Sequence, residues 1–237
     1  MNNYFIKLDW NVSKSVKVLV TKKNFLSREN FNLAISNNPY ERTKENINIL
    51  CNKFMPSSPI FMKQIHGKKI IDLNKDSLSH VGDGIITSTK NQVISVLTAD
   101  CMPIIISSLG GEIICILHVG RKGVQFNIVD NAFKILNQYK YKYEAWIGPS
   151  ISKDFYEVDK KIKDSFLDID NQYGNFFTES NKLYKMDLAG IVTTQLKKNN
   201  VNNIFYSNLC TVKNSNDFFS YRKNSDTGRF GTFVWIE

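Results

Sequence analysis

The sequence predicts an α+β fold in a single domain over residues 1–237, because strand-like runs occur in groups and helical segments lie between the groups. No internal repeat and no linker rich in glycine, serine or proline divides the 237 residues. Hydrophobic residues make up 42% of the chain, which is enough to bury a core and excludes a wholly disordered protein.

Three segments carry apolar residues at helical spacing and are predicted to be amphipathic helices. The first covers residues 40–54 and ends before Pro56. The second covers residues 124–139, and the third begins near Asp187 and ends in the polar run Lys197–Asn200.

Six short runs rich in β-branched residues predict strands. They are Ile60–Met62, Lys69–Leu73, Gly84–Thr87, Gln92–Thr98 and the runs 103–107 and 112–119. The tail alternates further strand-like runs with turns at Asn214–Asp217 and Lys223–Gly228.

The runs 103–107 and 112–119 predict a β-hairpin around the loop Ser108–Gly111. With that loop, cross-strand partners have numbers that sum to 219, so Cys101 lies opposite His118. Such partners have Cβ atoms about 4.5–5.5 Å apart, close enough to share a metal ion or a proton. A Cys beside a His in an apolar strand is more often core packing. The adjacent carboxylate of Asp100 favours a functional site.

The charge of the chain is +9, from 31 Lys and Arg against 22 Asp and Glu. Only 5 of these cations are Arg, and an excess of Lys, Asn and Ile is typical of drift under an A/T-rich coding bias. No basic stripe interleaved with aromatic residues occurs, so we expect no nucleic-acid partner.

No apolar run reaches the roughly 18 residues that a membrane helix needs. The start of the chain lacks the pattern of a signal peptide, so the sequence predicts a cytoplasmic protein with no membrane partner. The 4 cysteines have no regular spacing, which indicates reduced thiols.

Seven motifs carry a resemblance to a known family. They are Gln64-Ile65-His66-Gly67, Asp83-Gly84-Ile85-Ile86-Thr87, Thr98-Ala99-Asp100-Cys101-Met102-Pro103, His118-Val119-Gly120, Trp146-Ile147-Gly148-Pro149-Ser150-Ile151, Tyr156-Glu157-Val158, and Phe219-Ser220-Tyr221-Arg222 with Thr227-Gly228-Arg229. In these motifs the chain resembles the bacterial laccase-domain, or polyphenol oxidase-like, family. The family includes the peptidoglycan editing factor and FAMIN-like purine nucleoside phosphorylases. The match runs from about Phe25 to the C-terminus.

The resemblance implies a fold of mixed β-sheets flanked by helices, arranged as a four-layer α/β/β/α sandwich. It also implies a zinc ion held by His66, Cys101 and His118, with copper as the less expected metal. Three protein ligands leave one tetrahedral position open, which is the pattern of a catalytic zinc.

The resemblance further implies phosphorolysis of adenosine, inosine, guanosine and methylthioadenosine, together with deamination of adenosine. Purine nucleosides and phosphate are then the partners. Either Asp83 or Asp100 would carry the proton during catalysis, beside Cys101. The residues expected to bind substrate are Arg28, Asn32, Gln64, Lys122, Arg222 and Arg229.

Two motifs depart from the family pattern. The family usually has His-Ala-Gly-Trp-Arg-Gly, whereas residues 118–123 read His-Val-Gly-Arg-Lys-Gly. The aromatic residue is therefore replaced by Arg121, and Lys122 lacks the planar fork of an arginine. Ile47 likewise stands where the family has an arginine. We expect an intact metal site with an altered rate or substrate preference.

Two alternative functions remain open on the sequence alone. A Cys–His hydrolase would use Cys101 as nucleophile and His118 as base on an amide of a peptidoglycan precursor. A copper oxidase of phenols would need more than the 3 histidines of this chain. The oligomeric state is expected to be a monomer or a small homo-oligomer.

Overall fold

The computed structural model describes residues 6, 8–25, 28, 30–34, 40–75 and 80–237. The strands in this part of the chain are β1 (Val16–Val20), β2 (Ile70–Asp72), β3 (Gly84–Thr87), β4 (Ile94–Thr98), β5 (Met102–Ser108), β6 (Ile114–Val119), β7 (Tyr143–Ile147), β8 (Glu157–Val158), β9 (Phe177–Ser180), β10 (Leu183–Met186), β11 (Ile204–Tyr206) and β12 (Phe230–Ile236). The α-helices are α1 (Tyr40–Phe54), α2 (Arg121–Gln125), α3 (Ile128–Leu136), α4 (Lys160–Leu167) and α5 (Leu188–Lys198).

The strands form three sheets. The largest sheet has six strands in the order β11-β7-β5-β6-β3-β2 and is mixed, because its two outer pairs are parallel and the inner pairs antiparallel. A second sheet, β1-β12-β4, and a small third sheet, β8-β10-β9, are antiparallel.

The two larger sheets lie face to face, and helices cover their outer surfaces. Since side chains alternate along a strand, Ile116 of β6 packs between the sheets with Val234 of β12. Its neighbour Leu117 packs on the opposite face with Ile191 of α5. Leu50 of α1 belongs to the core on the far side of the second sheet. The result is the four-layer sandwich that the sequence analysis predicts.

The first and third predicted helices are confirmed, since α1 and α5 cover the expected segments. The second prediction, one helix over residues 124–139, is wrong because the segment is divided between α2 and α3. Asn127 lies between them with a left-handed φ of 56°, a conformation that a continuous α-helix does not contain. Residues 137–139 form a 3₁₀ turn.

The predicted strand Ile60–Met62 is wrong, because Ile60 makes only an isolated bridge to Ile94. Helix α4 and the small third sheet were not predicted. None of the helices in the described part of the chain combines the length and the apolar character needed to cross a bilayer.

The predicted register of the β5–β6 hairpin is also wrong. His118 lies opposite Pro103 rather than Cys101, so partner numbers sum to 221. The loop is shifted because the hydroxyl of Ser108 accepts hydrogen bonds from the N–H groups of Glu112 and Ile113. A shift of two in this sum preserves the alternation of side chains, so Cys101 and His118 still point to the same face of the sheet.

Candidate metal centre and cavity

Three potential ligands meet at one end of the six-stranded sheet. His66 lies in the loop before β2, Cys101 directly precedes β5, and His118 lies in β6. The nearest ligand atoms of these side chains all lie within 4.8 Å of one another. The imidazole rings of the two histidines meet edge to face, with centroids 4.7 Å apart. The three residues expected from the family resemblance are therefore brought together by the fold.

The carboxylate of Asp83 positions both histidines. Its Oδ1 accepts hydrogen bonds from the backbone N–H of His66 at 2.9 Å and from Nδ1 of His118 at 2.8 Å. Its Oδ2 accepts from the backbone N–H of Gly67 at 2.7 Å. These bonds stabilise the left-handed backbone of His66, which has a φ of 57°. With Nδ1 of His118 bound to a carboxylate, Nε2 is the nitrogen available to a metal.

A glycine makes room for the sulfur of the cluster. A Cβ atom added at Gly120 would lie 2.8 Å from Sγ of Cys101, well inside van der Waals distance. Any other residue at this position would push the sulfur away from the histidines. The glycine that follows β6 is thus a requirement of the site.

The electrostatics of the cluster favour the thiolate form of Cys101. Burial raises the pKa of this thiol, but hydrogen bonds and charge from His118 and His66 outweigh burial and lower the pKa to about 6. For His118, burial lowers the pKa, while Asp83 and Cys101 together raise it above the ordinary value. Thiolate is the form that binds metals.

The donor set and its surroundings fit a zinc ion. Zinc bonds are about 2.3 Å to sulfur and about 2.0–2.1 Å to nitrogen, so ligand atoms of one zinc lie a little over ~3 Å apart. The three ligand atoms of the cluster all lie within 4.8 Å of one another. One sulfur and two imidazole nitrogens are common zinc ligands, and the carboxylate of Asp83 behind His118 is the usual second support of such a site.

The cluster lies in the wall of a cavity of about 760 Å³. This volume lies within the range of small-molecule sites. Four cations also line the cavity: Arg121, Lys122, Arg222 and Arg229. In the described residues, none of the four forms an ion pair with a carboxylate. The cavity therefore carries positive charge that an anionic ligand can use.

Asp100 lines the cavity and holds the C-terminal part of its wall. Its Oδ1 accepts from the hydroxyl of Thr211, and its Oδ2 accepts from the backbone N–H of Arg222, both at 2.6 Å. The Arg222 guanidinium donates to the carbonyls of residues 155 and 157 and lies over the Tyr156 ring. Asp100 thus ties the C-terminal segment to the strand end that carries Cys101.

The six residues expected to bind substrate separate into two groups. Gln64, Lys122, Arg222 and Arg229 line the cavity. Arg28 instead pairs with Glu45 and lies outside the cavity lining.

Asn32 also lies outside the cavity lining, but its side chain helps to position Arg229. Its Oδ1 accepts from the backbone N–H of Arg229 at 2.8 Å. Gln64 lines the cavity, but its amide pairs with both backbone groups of Leu97 and so anchors the loop of His66.

Two cavity residues had no assigned role in the sequence analysis. Tyr156 occurs in the motif Tyr156-Glu157-Val158, and Arg121 occupies the position where the family usually has an aromatic residue. The signal in the sequence that could have identified them was their position in a family motif. The contact between them depends on packing of α2 near β8 and is not visible in the sequence.

The fold and the site define a class of protein: a four-layer sandwich with a His–Cys–His cluster in the wall of a cationic cavity. The sequence model of the family described as "Multi-copper polyphenol oxidoreductase laccase" matches residues 18–237, and the chain belongs to this family.

Several relatives are similar over most of their length. The "Purine nucleoside phosphorylase" of Haemophilus influenzae is 29% identical over 246 aligned positions, covering 98% of this chain and 99% of the relative. "Purine nucleoside phosphorylase YfiH" of Escherichia coli is 27% identical over 77% of this chain and 75% of its own. A Rickettsia prowazekii relative with the same enzyme name is 32% identical over 76% of each chain.

Solved structures share the fold. A Neisseria meningitidis protein matches with a TM-score of 0.88 and 25% identity, covering 99% of this chain and 100% of its own. Protein YfiH of Bacillus licheniformis matches with a TM-score of 0.86 over 100% of this chain and 98% of its own. Its identity is 21%, so this second match concerns the fold alone.

Proposed function

We propose that this protein is a zinc-dependent purine nucleoside phosphorylase that also deaminates adenosine. The observation that carries the proposal is a His–Cys–His cluster in the wall of a cationic cavity, in a chain whose relatives have the name purine nucleoside phosphorylase. The substrates proposed are adenosine, inosine, guanosine and methylthioadenosine, each with inorganic phosphate.

Phosphorolysis requires phosphate to be held against C1′ of the ribose while the purine leaves, so the protein contributes positioning and positive charge. The guanidinium groups of Arg222 and Arg229 are held by backbone carbonyls and face the cavity, so they are pre-positioned for an anion. Lys122 is exposed at the same cavity and adds a mobile cation. We assign phosphate and ribose binding to these three residues.

The proposed zinc is held by His66, Cys101 and His118. When bound, it would supply a Lewis acid and lower the pKa of water, which deamination requires. The protein holds the sulfur as a thiolate, and Asp83 orients the imidazole of His118 toward the metal. A copper cluster is a weaker candidate, because the chain has 3 histidines and the third, His80, is exposed and outside the cluster.

The two aspartates are proposed as positioning residues. Both oxygens of Asp83 and of Asp100 already accept hydrogen bonds from the protein. A carboxylate with its acceptors occupied is poorly placed to shuttle a proton to substrate. A proton-carrying role for Asp83 or Asp100 therefore stays a prediction from the sequence. The contacts favour a positioning role for both residues.

Metal analysis of the purified protein and incubation with inosine and phosphate test the proposal. We expect one zinc per chain, and hypoxanthine with ribose 1-phosphate as products; adenosine should give adenine and inosine. His66→Ala should lose zinc and lower activity at least about 100-fold. His80→Ala is the matched control and should retain both. Full phosphorolysis by the zinc-free His66→Ala variant would contradict the proposal.

A Cys–His hydrolase is the second candidate, because Cys101 has a lowered pKa and a hydrogen bond to His118. In that reading Cys101 attacks an amide of a peptidoglycan precursor, and no metal is needed. Trapping a thioester on metal-free protein would support the hydrolase. Zinc that is retained by the wild type and lost in Cys101→Ser, without any thioester, would support the phosphorylase.

The proposed setting is the cytoplasm, with the protein as a monomer or small homo-oligomer acting on small molecules. The net charge of +9 comes mainly from 26 Lys, which we attribute to composition rather than to a nucleic-acid site. Filter binding to DNA should be absent at physiological salt, since non-specific binding weakens steeply with salt.

A further inference from the structure

Tyr156 is part of the cavity wall. Its ring lies beneath the guanidinium of Arg222, whose carbon is 5.3 Å from the ring centroid. The backbone N–H of Met186 donates to its carbonyl oxygen at 2.9 Å, which fixes the residue to β10. The side chain lines the same cavity as Cys101 and the cations. Tyr156 is thus held in place from both sides while one part of it faces the cavity.

The hydroxyl of Tyr156 has a neighbour that can only donate. The positive charge of the Arg121 guanidinium lies near the phenolic oxygen and acts to lower the pKa of the hydroxyl. Because a guanidinium has donors and no acceptor, Arg121 cannot accept the hydroxyl hydrogen, which stays free to donate to a ligand in the cavity. Arg121 is itself oriented by Gln125, whose Oε1 accepts from Nη1 at 3.2 Å. Burial and the charge of Cys101 raise the pKa of Tyr156 against the effect of both arginines, which keeps the hydroxyl protonated.

We propose that Tyr156 is a catalytic residue that donates a hydrogen bond and then a proton to the departing purine, with Arg121 as its positioning residue. The inference rests on the proposed phosphorylase function. It concerns a hydroxyl of the described cavity whose ring lies beneath Arg222, one of the cations assigned to phosphate.

The proposed step balances in atoms and electrons. A phosphate oxygen forms a bond to C1′, the bond between C1′ and N9 breaks, and its electron pair goes to the purine. The proton of the Tyr156 hydroxyl passes to N7 of the purine. The phosphate loses its proton as the ester forms, and that proton returns to the phenolic oxygen, whose charge Arg121 stabilises in the interval.

The variant Tyr156→Phe tests the step, because it keeps the ring beneath Arg222 and removes only the hydroxyl. General-acid catalysis contributes about 100-fold or more, so kcat for inosine should fall by about that factor, with KM and zinc content unchanged. For 7-methylinosine the loss should be less than about threefold, because N7 is already alkylated and needs no proton. Tyr206→Phe, whose hydroxyl pairs with Thr193 at 2.8 Å, is the matched control and should match the wild type.

Arg121 is tested by the same pair of substrates. Arg121→Gln should lower kcat for inosine by roughly tenfold and leave 7-methylinosine unaffected, and Arg121→Lys should restore part of the loss. Equal losses on both nucleosides, or no loss in Tyr156→Phe, would overturn the inference while the phosphorylase proposal stands. Zinc-loaded wild-type protein that leaves inosine intact would overturn both.

Discussion

Asp83 and Asp100 are two buried aspartates beside the same cavity, and they hold different parts of the molecule. Among the described residues, the Asp83 side chain hydrogen-bonds to the metal side, to the loop of His66 and to the imidazole of His118. In the same part of the chain, the Asp100 side chain hydrogen-bonds to the C-terminal side, at Thr211 and Arg222.

The difference shows that two aspartates beside one cavity can support different parts of the site. Asp100 is the sequence neighbour of Cys101, yet the groups that lower the pKa of the thiol are His118 and His66, the residues held by Asp83. Asp83 therefore determines the state of the ligands, and Asp100 determines where the cations of the C-terminal segment lie. Substitutions at the two aspartates separate these two roles.

The largest effect is expected for Asp83→Asn. The amide keeps the shape but loses the negative charge that supports His118, and loss of such a support weakens metal affinity about 10- to 100-fold. Competition with a chelator of known affinity measures the change. Asp72→Asn alters another buried aspartate, which binds Asn74 and Tyr139, and should leave zinc affinity unchanged. Equal zinc affinity in Asp83→Asn and the wild type would remove the proposed support.

Asp100→Asn should act on activity without loss of metal. Asn tolerates the positive φ of 85° at this position, but the Arg222 N–H and the Thr211 hydroxyl lose a charged acceptor. We expect kcat/KM for inosine to fall roughly tenfold at full zinc content. Arg28→Met, which breaks only a partly exposed pair with Glu45, should stay within about twofold of the wild type. Zinc loss in Asp100→Asn would show that the two roles are not separate.

The smallest effect is expected on the pH dependence of alkylation in metal-free protein. Thiolate is the reactive form, so the iodoacetamide rate at Cys101 should stay high above pH 6 and fall as the pH drops through about 6. Cys115 should not react, because burial raises its pKa. Mass spectrometry of the labelled peptides measures both sites.

The aspartate variants should move that alkylation profile differently. Asp83→Asn weakens the charge on His118, so the Cys101 midpoint should move up toward the ordinary thiol value of about 8.5. Asp100→Asn should leave the midpoint near 6. Matching midpoints in the two variants would contradict the division of roles between the aspartates.

Much of the fold follows from local patterns in the sequence. Helix α1 and strand β3 have the predicted bounds because their apolar spacing and flanking residues are local signals. The predicted sum of partner numbers in the β5–β6 hairpin was wrong by two, because the Ser108 side chain caps the loop and shifts it. Such a cap depends on turn geometry. The face of each residue was nevertheless correct, because alternation along a strand depends only on parity.

The sequence alone determined the α+β class and the family motifs, because periodicity and motif order are properties of neighbouring residues. The resemblance carried by those motifs implied the four-layer fold and the three ligand candidates. The tertiary structure decided which residues these ligands depend on. Asp83 meets His118 across 35 residues, and Asp100 meets Arg222 across 122. Such hydrogen bonds depend on the packing of distant segments to within a few tenths of an ångström, and no local pattern of residues specifies that distance.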